Sequence, residues 1–96
     1  MSDATILSRL VRAATDERIW PDAIQALAAI VERHLEGEAP LSGCDIAARL
    51  CLPPERIYFA LQHLIKLEIV QITHGYVGEP GAQFFTIAAD WTEDAP

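Results

Sequence analysis

The sequence predicts a mainly helical α+β domain with a small β-hairpin, and three observations predict it. Residues 43–50 and 54–67 both carry apolar residues at helical spacing, and only a short turn separates them. Near Leu67 to Ile69 the apolar period then changes from helical to alternating, which marks the passage from helix to strand. With 96 residues, 51% of them hydrophobic, the chain has material for a single core and hence one domain.

In chain order, Asp3 to Ala14 sets Ile6, Leu7, Leu10, Val11 and Ala14 on one face, with Ser2 or Asp3 as N-cap, and reads as an amphipathic helix. Residues 1–18 form an N-terminal extension that ends in a polar break at Thr15 to Arg18. Trp20 and Pro21 open the next helix, whose stripe of Ala23, Ile24, Leu27, Ile30, Val31 and Leu35 stops before Gly37. Gly37 to Leu41 is a connector with room for a short strand. Ser42 and Asp45 have capping-box spacing and start a helix over Gly43 to Leu50 on Ile46, Ala47 and Leu50.

Leu52 and Pro53 precede prolines, which biases both away from helical angles and ends that helix. Pro54 suits a first helical position, and the helix it opens turns Ile57, Ala60, Leu61 and Leu64 inward. Ile69 to Thr73 sets Val70 and Ile72 against Gln71 and Thr73, and Gln83 to Ile87 is a second β-rich run. The Gly- and Pro-rich stretch GYVGEPGA joins them as a hairpin connection. Residues 20–88 thus make the core unit, with Leu27, Ile30, Ile46, Leu50, Ile57, Leu61, Leu64, Val70 and Ile87 in one core. Residues 89–96 are an acidic, frayed tail from which Trp91 can dock on the body.

Two helices joined by a short turn and followed by a hairpin resemble the winged helix-turn-helix superfamily, the resemblance resting on DIAARLCLPPERIYFALQHLIKLEIV and covering about half the chain. It implies a winged helix with an extra N-terminal helix, and a DNA-binding transcriptional regulator that acts as a dimer. The chain departs from the family pattern at Cys51 and Glu68, where Gly is common, and both departures suggest altered backbone angles.

Charge pulls the other way. Of the net −7, residues 1–40 contribute −3, residues 41–88 only −1, and residues 89–96 another −3. The DNA-reading unit is therefore nearly neutral, whereas a duplex binder ordinarily shows a basic stripe that neutralises phosphates. On the helix from Pro54 the outward groups suited to DNA are Arg56, Gln62, His63 and Lys66. Tyr58 and Phe59 on the same face suit a protein contact instead, so the alternative is an interaction module that binds no DNA. The hairpin connection adds Tyr76 and no Lys or Arg.

The extra N-terminal helix implies a homodimer through Ile6, Leu10 and Val11, with Trp91 beside them, or else packing back on its own domain. No enzyme, metal or cofactor is expected. His34, His63 and His74 fall on separate elements, no phosphate-binding glycine loop is present, and Cys44 and Cys51 lack zinc-site spacing and read as small buried hydrophobes. No run of 18 apolar residues and no signal-peptide pattern occur, so a cytoplasmic location without membrane contact is expected.

Overall fold

The computed structural model describes residues 3–37, 40–74, 83–88 and 91. Its elements are α1 (Asp3–Ala14), α2 (Pro21–Leu35), β1 (Leu41–Ser42), α3 (Gly43–Leu50), α4 (Pro54–Lys66), β2 (Val70–His74) and β3 (Phe84–Ile87). The helices start where the sequence predicts and end within a residue of it. Pro21 and Pro54 each occupy a first helical turn, where a missing N–H leaves no hydrogen bond unmade. At α3 the Ser42 hydroxyl accepts from the Asp45 N–H at 3.1 Å, while the Asp45 carboxylate accepts from the Ser42 N–H at 3.4 Å, completing the capping box.

The ends of α3 and α4 correct an expectation. Cys51 (φ 54°) and Glu68 (φ 62°) do not alter the backbone; they adopt the left-handed conformation that Gly would supply. Behind Cys51 the Leu52 N–H donates to the Ala47 carbonyl, and behind Glu68 the Ile69 N–H donates to the Leu64 carbonyl, at 3.1 and 3.0 Å. The Cys51 and Glu68 N–H groups donate to Ala48 and Ile65, so both ends are Schellman motifs built without glycine. Burying Ile69 and half-burying Leu52 just past each helix end offsets the cost of a side chain at positive φ.

The three strands form one antiparallel sheet in the order β1-β3-β2, so the connector does supply a third strand. β3 lies in the middle, pairing Leu41 with Phe85 on one side and Val70 with Ile87 on the other. The register of β2 slips between Ile72 and His74. Ile72 stands opposite the buried Phe85 but is 43% exposed, against the expected inward alternation, on a strand at the edge of the sheet.

One core joins all the elements. Leu27, Ile30, Ile46, Ile57, Leu61, Leu64, Val70 and Ile87 are buried in it as expected, and Leu50 packs against its margin. Phe85, Ile6 and Ile46 are among its largest fully buried side chains. α2 is the central helix, contacting α1, α3, α4 and β3. Ile6, expected at a dimer contact, is only 1% exposed and fills the core, and Leu10 packs at the core edge. Neither is freely available to a second chain, whereas Val11 is 65% exposed. Trp91 likewise packs on its own domain, bordering a groove with Ala13, Ile19 and Ile69. Cys44 and Cys51 are free and exposed rather than buried, since α3 turns Ile46 and Ala47 inward and leaves both thiols on its outer side.

Candidate interaction face on the fourth helix

α4 buries Ile57, Ala60, Leu61 and Leu64, and this fixes which side chains face out. At 100° per residue, Glu55, Tyr58, Phe59, Gln62 and Lys66 share the arc opposite that stripe. Arg56 and His63 fall instead on the flank next to α2. What happens on that flank decides the chemistry of the face.

Arg56 is held there as an ion pair. Its Nε and Nη2 donate to Asp22 Oδ2 and Oδ1 at 2.9 and 2.7 Å, the two-pronged geometry that suits a guanidinium and a carboxylate. Asp22 sits in the first turn of α2, where the exposed N–H groups favour an anion; Arg56 sits in the first turn of α4, where they disfavour a cation. The pair thus places Arg56 against its own helix dipole. The hydrogen bonds from Arg56 hold the Asp22 carboxyl below the usual carboxylate range.

His63 is held by the segment that precedes α2. Its ring stacks on Trp20 with centroids 4.3 Å apart and planes 5° from parallel. Nε2 lies 3.1 Å from the Arg18 carbonyl oxygen, which can only accept, so Nε2 carries the hydrogen. The same segment is braced by Arg18, whose Nε, Nη2 and backbone N–H all donate to the Asp16 carboxylate and hold it down to about 2. Trp20 and Asp22 thus complete this flank. Sequence reading missed both, because their partners lie about 40 residues on and nothing local marks either as a lid or a clamp.

The outward arc is left with one cation, Lys66, and one anion, Glu55. Gln62 is half-buried. Phe59 is 61% exposed and Tyr58 36%, their rings tilted against each other with centroids 5.5 Å apart. Of the sequence-predicted site, the structure brings Tyr58, Phe59, Gln62 and Lys66 to one surface and turns Arg56 and His63 aside. Tyr76 and the rest of the hairpin connection lie outside the described residues.

Among the described residues no three His, Cys, Asp or Glu side chains gather as metal ligands, and no helix is long and apolar enough to cross a membrane. No family model, curated protein or solved structure matches the chain.

Proposed function

We propose that the chain is a winged-helix module that binds another protein through the aromatic face of α4, rather than a reader of duplex DNA. The winged-helix part of this reading is supported by the element order after α1, in which a helix, a short strand, two helices across a tight turn and a final strand pair follow one another. The protein-binding part rests on one observation, that Arg56 lies on the flank in an ion pair with Asp22, which leaves Tyr58 and Phe59 on the outward arc with Lys66 as its one cation. With His63 under Trp20 as well, the face offers phosphates a single lysine, and duplex affinity comes largely from neutralised phosphates.

Tyr58 and Phe59 are the kind of rigid, amphipathic anchors that dominate protein interfaces. Glu55, one turn before them, suits a partner with an apolar pocket and a cationic rim. A DNA-binding regulator is the second reading, and what favours it is the same helix-turn-helix order. Fluorescence anisotropy with a mixed-sequence duplex at low salt separates the two. The protein-binding reading expects no micromolar binding by the wild-type chain, and a gain when Asp22→Ala releases Arg56. Tight, sequence-dependent binding by the wild type that Arg56→Ala abolishes and Phe59→Ala leaves alone is the result that sinks it.

A further inference from the structure

Among the described residues, the hydrophobic core is least covered at one groove. Ile19 and Ile69, each 8% exposed, are the most accessible of the buried apolar side chains, and both floor it. Ala13 and the half-buried Trp91 complete the apolar floor, while Arg9, Arg12 and Asp16 bring charge to its lining. The groove holds about 200 Å³, roughly the liquid volume of seven waters at ~30 Å³ each. Drug-sized ligands occupy ~300 to 1,000 Å³, so this is room for one ring or a short chain.

The charges around the floor do not cancel. Asp16 is the one acid among the described lining residues, and its carboxylate already accepts from the Arg18 backbone N–H and, at 3.1 and 2.8 Å, from the Arg18 guanidinium. Arg9 is engaged within the chain, whereas the Arg12 guanidinium, one turn further on, makes no hydrogen bond or ion pair among the described residues. On a chain of net charge −7, a positive group standing beside an apolar floor is an exception. Arg12 also borders the neighbouring groove beside Thr5 and Ser8, so an acid group on its guanidinium meets polar side chains while an attached apolar body lies on the floor. We propose that this groove binds a small carboxylate with an aromatic body, the carboxylate accepting from Arg12 and the ring lying against Trp91 over Ile19 and Ile69. A neutral molecule of the same shape leaves Arg12 unused, and a bare anion leaves the floor uncovered. The groove shares no residue with the α4 face, so the inference stands apart from what α4 binds.

NMR titration of the isotope-labelled full chain with phenylacetate tests this, with 2-phenylethanol as the neutral counterpart and acetate as the bare anion. Phenylacetate should shift the Arg12 Nε–H, the Trp91 indole N–H and the Ile69 amide to saturation in the submillimolar range, and both controls should bind at least about tenfold more weakly. Arg12 is exposed, so Arg12→Gln should keep the wild-type circular dichroism while weakening phenylacetate about 10- to 100-fold, the worth of a charge-assisted hydrogen bond. Equal binding of phenylacetate and 2-phenylethanol, binding indifferent to Arg12→Gln, or shifts confined to α4 overturns the proposal. So does a wild-type chain that binds no phenylacetate; if Glu93→Gln/Asp94→Asn then binds it, the occupant of the groove is the chain's own acidic tail.

Discussion

The flank where α4 meets α2 and the outer face of α1 are opposites. On the first, polar groups that periodicity turns outward are consumed inside the domain: Arg56 by Asp22, His63 by Trp20 and the Arg18 carbonyl. On the second, apolar groups that periodicity turns inward are left uncovered, Val11 most of all. Helical period assigns a side chain to a face. Whether that face is used depends on what another element, distant in sequence, brings to it.

Five substitutions sharpen or break this contrast. Leu61→Ala, directly beneath the α4 face, should cost roughly 2 to 5 kcal/mol in denaturant titration, whereas Val11→Ala should change the monomer's stability by less than about 0.5 kcal/mol. Equal costs at the two positions would erase the distinction between a used and an unused face. Trp20→Ala removes one half of the stack on His63 and should cost about 1 kcal/mol, with the His63 ring resonances shifting as its π-neighbour leaves. An unchanged spectrum would mean that the flank is open in solution.

Glu68→Gly should stabilise by about 0.5 to 1 kcal/mol, since it relieves a side chain held at φ 62° while leaving the Schellman bonds in place. A loss instead would mean that Glu68 makes contacts worth more than its strain. The smallest effect is on proton binding. Because Arg56 holds the Asp22 carboxyl below its ordinary 3.8, the folded chain binds fewer protons than the unfolded chain in that interval. The pair's contribution is therefore present above about pH 4 and lost as pH falls through the depressed value. Carbon-detected NMR titration should show Asp22 returning toward 3.8 in Arg56→Ala while Asp16 stays at about 2.

Much of the fold was legible because its signals are local. Pro21, Pro54 and the Ser42/Asp45 box mark helix starts within four residues of chain, and the inward sets of α2, α3 and α4 follow from spacing alone. The exposed thiols of Cys44 and Cys51 were not legible, because a residue type's average burial says nothing of which side of an eight-residue helix it occupies. The left-handed turns at Cys51 and Glu68 were misread from the family pattern, since the missing Gly at each place does not reveal that Leu52 and Ile69 bury enough to hold the turn without it. At the candidate site, Tyr58 and Phe59 were readable as outward and aromatic. The loss of Arg56 and His63 to the flank was not, since it needs the packing of α2 on α4.

The position of β3 has a consequence for how the chain assembles during synthesis. Of the three described strands the one made last is the middle one, and Phe85 on it is among the largest side chains in the interior. Until Phe84 to Ile87 have left the ribosome, β1 and β2 have no partner between them and the place that Phe85 fills in the core is vacant. Vectorial emergence, which lets many chains fold from their N-terminal end, gives this one little head start. Its helices are made early and wait for a closing strand whose pairing with β1 spans more than 40 residues, the kind of distant contact that slows folding.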